Sequence, residues 1–271
     1  MQLKREITNL GLLFTSISCM IGSGWLFGPI IAAKIAGPAA ILSWPIGGFM
    51  ILILALTFAE LSTAFPLAGG LARYTQFSHG SFMSFILSWM AWLSCISVAP
   101  TEVQAILQYS SKFFPNHPLT FLSDQTTILT GSGLIIAFVL LLLMSCINLL
   151  SIHAITSSNA LFSFWKLSVP TIVIIAIFIQ HHDFSNLTST PGGFAPHGFK
   201  GVFEALPAAV VFSFLGFREA TTLAGETKDP KVAIPLAVIG SVLICTLLYS
   251  LIQLVFIIAI PKSMLTHGWH F

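Results

Sequence analysis

Charged residues are scarce in this chain of 271 residues. Asp, Glu, Lys and Arg together make up 7%, whereas hydrophobic residues make up 56% and the mean hydropathy is +0.93. So little charge cannot cover a water-facing surface, and long uncharged runs recur along the sequence. The formal net charge is only +2, and its Lys and Arg residues are dispersed. We therefore predict an integral membrane protein in contact with a lipid bilayer, without a nucleic-acid partner.

Cysteine is also rare, and histidine forms no metal-binding pattern. Cys19, Cys95, Cys146 and Cys245 all lie in apolar runs without close paired spacing, so free, packed thiols are expected. The histidines lie in connections or near the ends of apolar runs, and no H-E-x-x-H sequence occurs. We expect no bound metal, no cofactor and no enzymatic activity.

Apolar runs long enough to cross a bilayer, which takes about 20 residues, occur repeatedly. Seven predicted spans cover residues 7–36, 39–65, 82–109, 129–150, 155–180, 201–225 and 234–260. Longer polar connections fall at 115–127 and 181–200. A cytoplasmic N-terminus places five Lys and Arg of the connections and flanks inside and four outside, a small excess in the direction of the positive-inside rule. The sequence thus predicts a multi-pass protein of the cell membrane, such as a bacterial inner membrane.

The first predicted span contains CMIGSGWLFGP at residues 19–29, with Gly22, Ser23 and Gly24 near its middle. Small residues at this depth can simply let a neighbouring helix approach closely. The alternative is a discontinuous helix, in which freed backbone N–H groups and the positive end of the outer half-helix face an anionic ligand group at mid-membrane. A break of that kind persists only where protein or a water-filled cavity satisfies the exposed backbone.

The sixth predicted span is interrupted in a similar way. Ser213, Gly216, Arg218 and Glu219 are embedded between its apolar flanks. Transporters built from inverted repeats carry broken helices at corresponding positions of their two halves. A second interruption therefore favours the discontinuous-helix interpretation of the first.

Three stretches resemble the amino acid, polyamine and organocation superfamily of permeases: IGSGWLFGP at 21–29, FAELSTAFPLAGGLARY at 58–74, and FSFLGF followed by LAGETKDPKVAIP within 212–235. The resemblance implies an all-α membrane protein with the leucine-transporter fold. In that fold, two five-helix inverted repeats hold the substrate between the broken first and sixth helices. Residues 1–180 would form the first repeat and residues 181–271 part of the second. Because the family usually has about twelve spans, we expect a truncated product or an excerpt of a longer chain.

The resemblance also implies roles for individual residues of the two breaks. The amides of Gly22, Ser23 and Gly24 would bind the substrate α-carboxylate. Carbonyls of Phe212, Ser213 and Leu215 would bind the α-ammonium, and the Phe212 ring could cover the site. Trp25 would form a pocket wall, although ordinary helix packing is an equally open interpretation.

Lys166 lies about eleven residues into the fifth predicted span, or roughly 16 Å at the helical rise, near the middle of the bilayer. A lysine there costs about 3 kcal/mol on insertion scales, so it should face a cavity or a partner. In proton-coupled members of the family, a fifth-helix lysine stands where sodium-coupled relatives bind a cation, and Lys166 resembles that residue. A structural tether to backbone carbonyls remains the alternative.

Arg218 departs from the family pattern, because many relatives carry glutamate at that position. An arginine there could pair with a second substrate carboxylate, which would favour aspartate or glutamate. The surrounding sequence is similar to that of aspartate–proton symporters. A structural pair of Arg218 with Glu219 or Glu226 is an equally open interpretation. Glu102, in the third predicted span, could face the vestibule, but we assign it no role.

Together these observations predict a proton-coupled amino acid symporter, and acidic amino acids are the first candidates for its substrate. An amino acid exchanger, a permease-like nutrient sensor and a transport-inactive fragment remain alternatives. Substrate flux that is independent of a pH gradient would instead favour a channel.

Overall fold

The computed structural model describes residues 5–114, 119–123, 126–148, 152–181, 184–265 and 268–269. Its helices are, in chain order, α1 (Asn9–Met20), α2 (Gly24–Ala36), α3 (Ala40–Ala64), α4 (Gly70–Ser110), α5 (Gly131–Asn148), α6 (Ile152–Gln180), α7 (Gly198–Ala205), α8 (Val211–Phe214), α9 (Glu219–Thr222) and α10 (Pro230–Ala259). Two short strands, β1 (Thr120–Ser123) and β2 (Thr126–Leu129), form an antiparallel hairpin within the connection between α4 and α5.

Each of the seven predicted spans contains helix among the residues that the structure describes. Five stretches are long and apolar enough to cross a membrane: Gly24–Ala64, Gly70–Ser110, Ser163–Gln180, Gly198–Thr222 and Pro230–Ala259. The first of these joins α2 and α3 through the 3₁₀ turn Gly37–Ala39. Asn9–Met20 and Gly131–Ile147 are shorter apolar helices. The all-α membrane architecture follows, with the first predicted span divided in two.

The helix α4 begins earlier than the third predicted span because it contains two pieces. Gly80 has φ 78° and ψ −179°, which is not helical, and it separates residues 70–79 from residues 81–110. Glycine adopts this backbone without the steric cost that a Cβ atom would bring. The second piece corresponds to the predicted span, and the first lies between spans.

A buried aromatic cluster joins α3, α8 and α10. The ring of Tyr249 lies 5.1 Å from that of Trp44 and 5.4 Å from that of Phe214, between centroids. Trp44 Nε1 donates a hydrogen bond to the side-chain oxygen of Gln253 at 2.8 Å, and the Gln253 amide nitrogen donates to the Pro29 carbonyl at 3.2 Å. The buried polar groups of Trp44 and Gln253 are thus paired, as a low-dielectric interior requires.

The start of the chain is tied to the connection that precedes α10. The Ile7 N–H donates to the Glu226 carbonyl at 3.1 Å, and the Lys228 N–H donates to the Ile7 carbonyl at 3.0 Å. Helix α10 then packs against both α1 and α3. This packing places the interrupted parts of the first and sixth predicted spans side by side.

Candidate functional site

The first predicted span is interrupted at residues 21–23. Ile21 has φ −83° and ψ 88°, outside the helical region, and α2 begins again only at Gly24. The N–H of Ile21 closes α1 on the Ile17 carbonyl at 2.9 Å, and the N–H of Gly22 turns back to the Met20 carbonyl at 3.1 Å. The C-terminus of α1 and the N-terminus of α2 therefore lie inside the protein, where their last carbonyls and first N–H groups need partners from outside the helix.

The carbonyl end of α1 receives two side chains. Lys166 Nζ on α6 donates to the Ser18 carbonyl at 3.0 Å, and the Tyr249 hydroxyl on α10 donates to the Met20 carbonyl at 2.8 Å. Both contacts satisfy carbonyls that the break leaves without an intrahelical donor. The Lys166 ammonium also lies where a helix C-terminus favours positive charge.

The amide end of α2 receives a carboxylate. The Ser23 N–H lies 2.8 Å from Glu102 Oε1 and 3.0 Å from Glu102 Oε2, and Glu102 comes from α4. The N–H groups of Gly24 and Trp25 begin the first turn, and no backbone acceptor is found for them among the described residues. This end of α2 has the geometry and the dipole that bind anions.

The sixth predicted span is interrupted twice. A π-helical stretch at 206–210 follows α7, and a 3₁₀ turn at 215–218 follows α8. Pro207 lies within the first interruption and lacks an N–H, so it removes one hydrogen bond from the α-helical ladder there. At the start of the second interruption, the Phe212 carbonyl accepts a hydrogen bond from the Leu215 N–H.

The two interruptions touch through glycine. A Cβ atom at Gly216 would overlap the backbone of Cys19 and Met20, and one at Gly24 would lie 2.8 Å from Ser213 Oγ. Side chains at these positions would hold the two broken spans apart. Gly24 and Gly216 therefore allow the two interrupted spans to approach each other closely, in addition to lying at the breaks.

A cavity of about 990 Å³ opens between the interruptions and is bordered by α4 and α6. Its lining includes every site residue that the sequence analysis named: Gly22, Ser23, Gly24, Trp25, Lys166, Phe212, Ser213, Leu215 and Arg218. Cys19, Ser94, Glu102 and Glu219 line it as well. Residues from four separate predicted spans thus converge on one space that contains both signs of charge.

Some of the predicted residues have backbone groups that already hold partners. The amide of Gly22 donates to Met20 and that of Ser23 to Glu102. The Ser213 carbonyl lies 3.4 Å from the Tyr249 hydroxyl, and the Ser213 hydroxyl donates to the Ala209 carbonyl at 3.1 Å. The Phe212 side chain is 55% exposed and also lines a second, smaller cavity of about 250 Å³.

Arg218 is held at the cavity wall by two contacts. Its Nη2 donates to Ser94 Oγ on α4 at 2.7 Å, and its Nε lies 3.7 Å from Glu219 Oε1. The structural pair with Glu219 that the sequence analysis left open is therefore present. A guanidinium has five N–H donors, so these contacts do not exhaust its capacity to bind a carboxylate.

Sequence reasoning missed Tyr249 and the contact of Glu102. Tyr249 is 1% exposed and its hydroxyl reaches carbonyls of both broken spans. A signal was present, because a hydroxyl or a carboxyl in an apolar span must find a polar partner. The four cysteines are free as expected, but only Cys245 is buried, whereas Cys19, Cys95 and Cys146 are exposed.

Comparison with known proteins identifies the family. Residues 11–268 match the family described as amino acid permease. The chain belongs to this family. The superfamily resemblance and the membrane transporter fold are thereby confirmed, and the prediction that the protein is not an enzyme agrees with relatives that are transporters.

Two relatives from Bacillus subtilis (strain 168) match nearly the whole chain. The glutamate/serine transporter AimA is 41% identical over 99% of this chain and 50% of its own length. The aspartate-proton symporter is 36% identical over 98% of this chain and 50% of its own length. Cationic amino acid transporter 5 of Arabidopsis thaliana is 32% identical over 93% of this chain and 44% of its own length. The chain thus spans about half the length of these curated relatives.

Proposed function

We propose that the chain binds an amino acid between its two interrupted spans, as part of a proton-coupled symporter that prefers acidic substrates. The observation that carries the proposal is the cavity of about 990 Å³ that is bordered by both breaks. An amino acid carries a carboxylate and an ammonium on one carbon. N–H groups at the start of α2 suit the first group, and carbonyls near Phe212 and Leu215 suit the second.

The proposal divides the chain as the fold of the family implies. Residues 1–180 would be the first repeat and residues 181–271 part of the second, so that the two interrupted spans are equivalent helices. The N-terminus would lie in the cytoplasm of the cell. The interruptions in both the first and the sixth span support this division. The order of the three family-like sequence motifs along the chain supports it as well.

Lys166 is proposed to carry the coupled proton. Its ammonium holds the Ser18 carbonyl at 3.0 Å, directly before the first break. A charged donor makes a stronger hydrogen bond than a neutral one, so loss of the proton would loosen the hold of α6 on α1. A proton released from Lys166 could in this way alter the geometry of the substrate site.

Arg218 is proposed to bind the side-chain carboxylate of an acidic substrate. Two relatives are named as transporters of glutamate and serine and of aspartate with protons. We expect Arg218→Gln to reduce binding of aspartate relative to serine by about tenfold or more, the size of a lost charge-assisted hydrogen bond. Arg73→Gln is the matched control, because Arg73 is exposed and lies outside the cavity lining.

Uptake of labelled L-aspartate into proteoliposomes containing the protein tests the proposed function. Competition by aspartate and glutamate, with accumulation that follows an imposed pH gradient, is the expected result. Dominant competition by leucine or arginine would refute acidic specificity. Exchange that ignores the gradient would favour an exchanger, whereas binding without flux would favour a nutrient sensor or a transport-inactive fragment.

A further inference from the structure

We propose that the Glu102 carboxylate is a built-in substitute for the carboxylate of the substrate, which must displace Glu102 from the Ser23 amide in order to bind. This inference rests on the proposed function, because it concerns the same cavity. It gives Glu102 a role in setting substrate affinity that neither the sequence motifs nor the names of the relatives indicate.

The position of Glu102 carries the inference. Both of its carboxylate oxygens lie within hydrogen-bond distance of the Ser23 N–H, at 2.8 and 3.0 Å. A Cβ atom at Gly22 would overlap Glu102 Oε1, so the absence of a side chain at Gly22 leaves the space that this carboxylate fills. A carboxylate of the protein thus lies where a helix N-terminus would hold the carboxylate of an amino acid.

The origin of this carboxylate distinguishes it from an ordinary helix cap. Capping side chains normally come from the residue that begins the helix or from its first turn. Here the acceptor comes from α4, 79 residues further along the chain. It is partly buried and lines the cavity, so it can move into open space without unfolding a helix.

The chemistry of the site makes the two carboxylates competitors. Ser23 has a single N–H, and two carboxylates at one helix end repel each other. The other charged groups on the cavity wall are Lys166, Arg218 and Glu219, and its remaining titratable groups are Cys19, Cys95 and Tyr109. Lys166 and Arg218 contact other groups, namely the Ser18 carbonyl, Ser94 and Glu219. Substrate binding therefore becomes an exchange with Glu102. The apparent affinity equals the intrinsic affinity multiplied by the fraction of molecules in which Glu102 has left Ser23.

A permanent structural cap would behave in the opposite way. If Glu102 stayed on Ser23 with substrate bound, its removal would weaken binding or leave it unchanged. If Glu102 must leave, its contact exists only before binding, so its removal strengthens binding. The sign of the change in affinity separates the two roles.

The experiment compares the purified wild-type protein with Glu102→Ala, Glu102→Gln and the control Glu60→Ala. Glu60 is exposed on α3 and lies outside the cavity lining. Calorimetry measures binding of L-glutamate, L-serine and sodium acetate to each protein. We expect Glu102→Ala to bind both amino acids on the order of tenfold to hundredfold more tightly than wild type, the size of a lost hydrogen bond to a charged group. Glu102→Gln keeps the shape of the side chain but has a weaker acceptor, so its affinity for both amino acids should lie between those of wild type and Glu102→Ala. The affinity of Glu60→Ala should equal that of wild type.

Acetate separates failure of this inference from failure of the proposed function. Binding of acetate to Glu102→Ala but not to wild type, without binding of either amino acid, would support the exchange and refute the amino acid site. Equal or weaker binding of the amino acids by both Glu102 variants would keep the amino acid site and overturn the exchange. Absence of binding of all three compounds to Glu102→Ala would overturn the exchange as well.

Discussion

Replacement of Gly216 by alanine is expected to weaken amino acid binding about tenfold to hundredfold. The added Cβ would overlap backbone atoms of Cys19 and Met20, which cannot rotate away as a side chain can. Insertion of a methyl group into a packed contact typically costs about 1–3 kcal/mol. Because the contact joins the two interruptions, the strain would separate the groups that are proposed to hold the carboxylate and the ammonium. Calorimetric titration with L-glutamate measures the effect.

Two other glycines provide graded comparisons for Gly216. At Gly131 an added Cβ meets no atom within 4 Å, so Gly131→Ala should leave binding unchanged. At Gly24 the nearest atom is the Oγ of Ser213, a side-chain atom that can rotate, so Gly24→Ala should have an intermediate effect. Wild-type affinity in Gly216→Ala, with the protein folded, would show that the contact between the two breaks does not shape the site.

Replacement of Lys166 by alanine is expected to abolish accumulation driven by a pH gradient while exchange of amino acid across the membrane remains. One pH unit corresponds to about 1.4 kcal/mol for one proton, which supports at most about tenfold accumulation. Without Lys166, the Ser18 carbonyl loses its cationic donor, and the proposed proton carrier is gone. Accumulation should then fall to about equal concentrations on both sides, measured with labelled L-aspartate in proteoliposomes.

Lys200→Ala is the matched control for this experiment. Lys200 is exposed and pairs with Glu204 at 3.5 Å, away from the cavity lining. Its removal should leave both accumulation and exchange unchanged. Preserved accumulation in Lys166→Ala would assign Lys166 to structural support of α1 and would remove the proposed coupling role.

The membrane class and the first break could be predicted from the sequence because their signals are local. An apolar run of the required length predicts a span, and Gly22, Ser23 and Gly24 interrupt one. In the sixth span, Ser213, Gly216 and Arg218 indicated an interruption, and a 3₁₀ turn is found at 215–218, but the π-helical stretch at 206–210 was not predicted. Pro207 marks that stretch, yet a proline in an apolar run is equally compatible with a simple kink.

The pairing of distant residues could not be predicted from the sequence in the same way. That Glu102 reaches Ser23, and that Tyr249 reaches Met20, depends on how α4 and α10 pack around the first break. A polar residue in an apolar span predicts that some partner exists, but many carbonyls and amides lie at similar depth. The packing of the spans selects one of them.

Hydrogen–deuterium exchange of the protein with and without L-glutamate tests most directly whether the two interruptions form one amino acid site. We predict slower exchange in both 19–26 and 211–218 at saturating L-glutamate, and no such change with glutarate, which lacks the amino group. Binding of L-glutamate that leaves exchange in both segments unaltered, or that protects only residues outside them, would contradict a site between the broken helices.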